Sequence, residues 1–243
     1  PAIQFENDTH QEYDTTEIRL ASKSEGKFNW IVGAFMTENE TAYDSQWHIP
    51  TINPDAAVPG SGDMYFQTDQ VRHEEESAVF GELYIDLNDT TTVTLGHRKF
   101  DTETTLTGFV GTVWWPNYIL YSATRPDNVN STYDGKDSVS KINVSHQVNN
   151  DVMIYGTVSE GYRPGGNNRT SQLGATYDAD FLTNYEFGFK TILMDGKVRL
   201  NGAAYMMKWD DIQLGWFDPD ISLLGLVDNI GAAQSKGFEI DSK

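Results

Sequence analysis

The chain has 243 residues, of which 38% are apolar and 12% aromatic, with a net charge of -19 and no cysteine. The acidic balance excludes nucleic acid as a partner, because phosphate binding needs a basic surface, and the missing cysteines exclude disulfides and thiolate metal sites. So small an apolar share is poor for a water-soluble core but suits a wall whose inner face is wet, and no apolar run reaches the length of a membrane helix.

In chain order, the segments read as long strands that come in pairs. Thr16 to Ser22 alternates, with Ile18 and Leu20 on one side and Glu17 and Arg19 on the other; Ser24-Glu25-Gly26 turns the chain, and Lys27 to Asn39 returns with Phe28, Trp30, Ile31, Val32 and Phe35. A long polar stretch with Pro50, Pro54, Pro59, Gly60 and Gly62 then reads as loop. In the second pair Val79, Gly81, Leu83, Ile85 and Leu87 oppose Glu82, Tyr84 and Asp86, Asn88-Asp89 makes the turn, and Val93 and Leu95 oppose Thr92, Thr94, Gly96 and Arg98. A second long loop carries Trp114, Trp115, Pro116, Tyr118 and Tyr121.

The third pair sets Ile142, Val144 and Val148 against Lys141, Asn143, Ser145 and Gln147, and turns at Asn149-Asn150-Asp151. It returns with Val152, Ile154, Gly156 and Val158 on one face and Tyr155, Thr157 and Ser159 on the other, before breaking into Arg163-Pro164-Gly165-Gly166. A loop rich in Gly and Asn runs from Pro164 to about Tyr177. The fourth pair places Tyr185, Phe187 and Phe189 against Glu186, Gly188 and Lys190, turns at Asp195-Gly196, whose residue types tolerate positive φ, and continues with Val198, Leu200, Gly202, Ala204 and Met206. One more loop, from roughly Gly215 to Leu226, leads into a last strand that ends inside an alternating pattern.

The repeat of two excludes a helical reading. Short turns alternate with long loops, and the strands are long enough to cross a bilayer at a tilt, as in outer-membrane barrels. The predicted fold is therefore all-β: an antiparallel transmembrane β-barrel segment of about nine strands, with short periplasmic turns and long extracellular loops. Pro1 to Phe5 has neither the basic region nor the apolar core of a signal peptide, so the chain reads as a fragment.

Several segments resemble, in order, the TonB-dependent receptors of Gram-negative outer membranes. Tyr155 to Gly166 resembles a recurrent strand-to-loop signature of that family, and Asn184-Tyr185-Glu186-Phe187-Gly188-Phe189-Lys190 its NYE-x-G-x-K strand. Asp195 to Asn201 with Tyr205 to Gln213 is similar to the next hairpin, and Asn229 to Glu239 to the N-x-G-x-A-x-x-x-G-x-E strand that follows. Thr16 to Ser22 and Phe28 to Phe35 resemble a hairpin from the middle of the barrel. The resemblance implies a barrel of about 22 strands with a plugged lumen. Residues 1–243 would be part of that barrel domain, without the plug domain and the C-terminal strands. It also implies the bacterial outer membrane as location, outer-membrane lipid around the wall, and uptake of a scarce ligand, above all a ferric siderophore. The TonB complex would power that uptake through an N-terminal region not in this chain. Such a barrel is no enzyme and carries no cofactor.

Two loops hold the candidate ligand contacts. Trp114, Trp115, Tyr118 and Tyr121 offer aromatic faces to a catecholate or sugar ring, or serve as loop packing or an aromatic belt. Arg163, Asn167, Asn168 and Arg169 flank the Gly-Gly turn, where a guanidinium fork suits an anionic group, or simply build the turn. His48 and His73 lack spaced partners for a metal, and Asp210, Asp211, Asp218 and Asp220 lack the spacing of a calcium loop. No Ser/His/Asp order or carboxylate pair stands out for catalysis. The competing reading is a soluble secreted all-β glycan-binding module, with two sheets stacked on a dry interior. A propeller would need a blade repeat, which is not found.

Overall fold

A computed structural model describes residues 3–243 apart from 24, 54, 56, 58–61, 113–126, 170–174, 195 and 218–223. Nine strands form one antiparallel sheet: β1 (Gln4–Ala21), β2 (Phe28–His48), β3 (Met64–Asn88), β4 (Thr91–Thr112), β5 (Val129–Asn149), β6 (Val152–Arg163), β9 (Asp180–Leu193), β10 (Val198–Asp210) and β13 (Ala232–Ser242), in that order across the sheet. Two small ladders lie between them in sequence, β7 (Gly166–Asn167) with β8 (Thr176–Tyr177) and β11 (Gln213–Trp216) with β12 (Leu226–Asn229). The predicted pairs and turns are met along this order. Gly196 takes a φ of +86° at the fourth turn, while Asp195 lies outside the described residues.

Directly paired residues share a face, so the register can be read across the wall. One row runs Phe28, Ile85, Val93, Val144, Gly156, Phe187, Ala204, Phe238 from β2 to β13. All eight are apolar, and Phe28 and Phe187 are each 60% exposed although their strands lie within the sheet. The row one residue along the strands runs Asn29, Tyr84, Thr94, Asn143, Thr157, Glu186, Tyr205, Gly237. Its polar groups find one another or their same-face neighbours: Asn143 donates to Thr157 at 2.7 Å, Tyr84 to Glu82 at 2.6 Å, Tyr155 to Glu186 at 2.7 Å, and Lys141 to Glu82 at 2.6 Å. Apolar side chains left open on one face and a bonded polar lattice on the other define a wall between lipid and water. Among the described residues no second sheet covers the apolar rows, so the stacked arrangement of a glycan-binding sandwich is absent.

The first strands are longer than alternation predicts: β1 begins at Gln4 rather than Thr16, and β2 reaches His48 rather than Asn39. On β2 the outer side chains run Phe28, Trp30, Val32, Ala34, Met36 and then Glu38 and Glu40. Beyond Met36 both faces meet water, so polarity no longer alternates although the ladder of hydrogen bonds continues to His48. The part read as loop from Asn39 onward is therefore strand up to His48, and the break spans only 49–63. Phe66, Leu106, Val110 and Val129 form a buried cluster near these far ends, packed by Trp47, Tyr65 and Leu224. The apolar core thus sits where loop meets inner wall, away from the lipid band.

Candidate ligand-binding site

The β5–β6 ladder stops at Lys141 with Ser159, while β6 continues beside β9 to Arg163. Freed from β5, the end of β6 lies against inner-facing residues of β3 and β4. The Tyr162 ring stacks on Phe100 with centroids 3.7 Å apart, and its hydroxyl donates to Glu76 at 2.7 Å. Arg98 donates to the same carboxylate at 2.5 Å. This packing turns the segment after Arg163 inward across the wall instead of away from it.

Arg163 and Asp180 hold the neck of that segment. They are direct cross-strand partners, and Arg163 Nε donates to both Asp180 oxygens, at 3.1 and 3.0 Å. Its Nη2 makes a further ion pair with Asp180 and donates to the Gln213 carbonyl at 3.0 Å. The guanidinium also lies 4.6 Å from the centre of the Trp209 ring. Burial alone would push the Asp180 carboxyl up; the Arg163 bonds, the Gln213 amide and Trp209 outweigh it and hold the carboxyl below the usual carboxylate range. Gln213 then donates its side-chain amide to the Pro164 and Asp178 carbonyls at 2.9 Å each, so the β6–β9 and β10–β13 connections are bound to each other.

Past the neck, Asn167 and Arg169 are fixed to the wall and Asn168 to the β11–β12 ladder. Asn167 donates to Ser131 at 2.6 Å, and its carbonyl accepts from Arg72 at 2.8 Å. Asn168 acts like a strand partner: its amide donates to the Val227 carbonyl at 2.8 Å and its oxygen accepts from the Val227 N–H at 2.7 Å. Arg169 donates to Gln70 at 2.9 Å and to Thr68 at 2.6 Å, and lies 4.2 Å from the Tyr43 ring centre. Burial draws the Arg169 guanidinium down from its ordinary value and pushes the Tyr177 phenol up.

Of the predicted contact residues, Arg163, Asn167, Asn168 and Arg169 are thus brought together on one inward-folded segment, each with wall or loop partners. Trp114, Trp115, Tyr118 and Tyr121 lie outside the described residues, as do Asp218 and Asp220. His48 contacts Asp63 and His73 contacts Glu75, at 2.8 Å each, well apart in sequence from the inward segment. Sequence reasoning missed Tyr43, Thr68, Gln70, Arg72 and Asp180. The first four stand in the polar ends of β2 and β3, where alternation gives no sign of strand. Asp180 was one of 36 acidic residues, with only its place opposite Arg163 to distinguish it.

The family described as TonB dependent receptor-like, beta-barrel, matches residues 2–243. The metal-pseudopaline receptor CntO of Pseudomonas aeruginosa (strain UCBPP-PA14) is 27% identical over 124 residues, 49% of this chain and 17% of that protein. Among solved structures, the ferric yersiniabactin uptake receptor FyuA from Yersinia pestis matches with a TM-score of 0.80 at 17% identity, over 100% of this chain and 34% of that one. The siderophore receptor PiuA from Acinetobacter baumannii matches with a TM-score of 0.68 at 14% identity, over 96% of this chain and 36% of that one. The chain therefore spans about a third of the solved receptors it resembles.

Proposed function

Since this chain belongs to the TonB-dependent receptor-like β-barrel family, whose members are outer-membrane transport receptors of Gram-negative bacteria and not enzymes, we propose that it is barrel wall from a receptor that takes up a ferric siderophore with TonB supplying the work. Residues 1–243 serve as part of the barrel domain, and the plug and the closing strands come from elsewhere in the same receptor. The observation that carries this reading is the pair of adjacent rows, one apolar from Phe28 to Phe238 with none of its members buried, the other polar from Asn29 to Tyr205. A closed wall of that kind has acyl chains outside and a wet lumen inside. The inward-folded segment bearing Arg163, Asn167, Asn168 and Arg169 narrows the lumen where a ligand from outside enters, and Trp114, Trp115, Tyr118 and Tyr121 add ring faces from the second long loop.

The test is iron-limited growth of a Gram-negative host that lacks its own siderophore receptors. The receptor containing this segment should restore growth on at least one ferric siderophore, and only while TonB is present. Growth on none of a broad siderophore panel, or equal growth without TonB, contradicts the reading.

A further inference from the structure

Two guanidinium groups meet at the inner face beyond the lipid band, Arg72 on β3 and Arg169 on the inward-folded β6–β9 connection. Arg72 lies about five residues, or ~17 Å, along β3 from the outward-facing Ser77 that pairs with Met36. Its carbon stands 5.8 Å from the Tyr43 ring centre, and that of Arg169 stands 4.2 Å from the same ring. The acceptors they use are neutral: the Asn167 carbonyl for Arg72, and the Gln70 and Thr68 side chains for Arg169. Among the described residues neither guanidinium has a carboxylate within ion-pairing distance, in a chain with 36 acidic and 17 basic side chains. The inner-facing carboxylates nearest along β3 are engaged otherwise, Glu74 with the Asn39 amide at 2.5 Å and Glu76 with Arg98 and Tyr162.

The same cluster has more donors than acceptors. Among the described residues, Gln70 Nε2 and Arg72 Nε are buried donors with no partner, against one such buried acceptor in the cluster, Asn167 Oδ1. Gln70 and Asn167 are each 1% exposed, so bulk water does not reach them. Two like charges beside each other, half-buried and facing only neutral acceptors among the described residues, are unfavourable until an anion joins them. Guanidinium forks with an additional N–H donor match anionic oxygens, which take several charge-assisted hydrogen bonds at once.

We propose that Arg72 and Arg169, with the Gln70 amide, form a binding site for the anionic oxygen donors of the transported ligand, and hence that the ligand is a metal complex of net negative charge. This rests on the uptake reading above and narrows it: a neutral or cationic complex would leave the pair uncompensated. The inward fold of the β6–β9 connection brings Arg169 to Arg72, so the site exists only while that segment is seated.

The experiment uses the whole receptor in detergent and two synthetic ferric complexes built on one framework. One is a hexadentate tris-catecholate, which is trianionic; the other is a hexadentate tris-hydroxamate, which is neutral. Binding is followed by quenching of tryptophan fluorescence. The tris-catecholate complex should bind about tenfold or more tightly than the neutral one, since a single charged contact carries that much discrimination. The preference should vanish in R72Q/R169Q and survive largely in R72K/R169K. Arg72→Gln alone leaves the Arg169 contacts to Gln70 and Thr68 in place, and should lose most of the preference even if the double variant folds poorly. Equal affinity for the two complexes overturns the proposal, as does binding of neither, or a preference that persists in R72Q/R169Q. Failure of the uptake reading is seen separately, as absence of TonB-dependent growth on every siderophore tried.

Discussion

Arg163 and Asp180 face each other at the last rung of the β6–β9 ladder, the guanidinium donating through Nε to both carboxylate oxygens. Asp180 is fully buried while Arg163 keeps a side open, so the carboxylate depends on its partner more than the reverse. Because its folded value is depressed, the contribution to stability is fully present above the ordinary carboxylate value of about 3.9 and is lost as pH falls through the folded value. The backbone N–H of Asn168, which donates to the Ala175 carbonyl at 2.6 Å, should be strongly protected at pH 5, with exchange far slower than its intrinsic rate at that pH, and should lose most of that protection below pH 3. Asp180→Asn should speed exchange at pH 5 and remove most of the pH dependence of that protection, a loss of about 1–3 kcal/mol of local anchoring. Exchange that is unchanged in Asp180→Asn would separate the neck from the seating of the segment.

Tyr155 covers Gly188 on the next strand, its direct partner in the ladder. A Cβ at Gly188 would stand 2.6 Å from the ring and hydroxyl of Tyr155, and that hydroxyl donates to Glu186. Gly188→Ala should displace the ring and weaken that bond, lowering stability to denaturant by about 1–3 kcal/mol, the usual range for overpacking. In a Tyr155→Ala background the same change should have little effect. A double-mutant cycle with no coupling between the two positions would refute the contact.

Phe187 and Glu186 are neighbours in sequence on opposite faces of the wall. Phe187→Arg sets a charge among acyl chains and should reduce folding into bilayers by about 2–4 kcal/mol if the site lies near the midplane. Glu186→Arg changes only a wet lattice and should leave folding yield within a factor of about two, a few tenths of a kcal/mol on the surface-substitution scale. Refolding into lipid vesicles, scored by heat-modifiable gel mobility, separates the two.

Just past the apolar band, Asp14, Glu38, Glu75, Glu103 and Asp134 stand directly opposite one another on β1 to β5. Like charges in paired positions repel. Glu38→Gln, which removes a charge flanked by Asp14 and Glu75, should raise stability by about 0.2–1 kcal/mol at low salt, and the gain should shrink as salt screens the row. Denaturant unfolding at two ionic strengths measures it; a loss of stability at low salt would contradict the repulsion.

The wall was legible in the sequence and the inward segment was not, for one reason. Between Phe28 and Met36 one face meets lipid, so Trp30 and Val32 alternate with Asn29 and Gly33 and announce a strand. Beyond Glu38 both faces are wet, and Tyr43 on β2 and Gln70 and Arg72 on β3 sit in strand ends that look like loop. The Pro164–Tyr177 connection reads as loop, whereas its two ends pair as β7 and β8, and nothing local says that Asn168 will pair with Val227 or Arg169 with Thr68; those bonds join residues far apart in sequence. Arg163 and Asp180 were both visible as charges, but only the register of β6 with β9 makes them a pair.

These 243 residues hold no cysteine, so in a receptor whose other cysteines, where present, are replaced by serine, single labels test the wall itself. Cysteine placed in turn at positions 143, 144, 186 and 187 of the receptor in bilayers, and carrying a spin label, should show alternating access. Val144→Cys and Phe187→Cys should respond to oxygen dissolved in the acyl region, and Asn143→Cys and Glu186→Cys to a water-soluble nickel chelate. Uniform access to the nickel chelate at all four positions, or the opposite alternation, would contradict a lipid-facing row from Phe28 to Phe238.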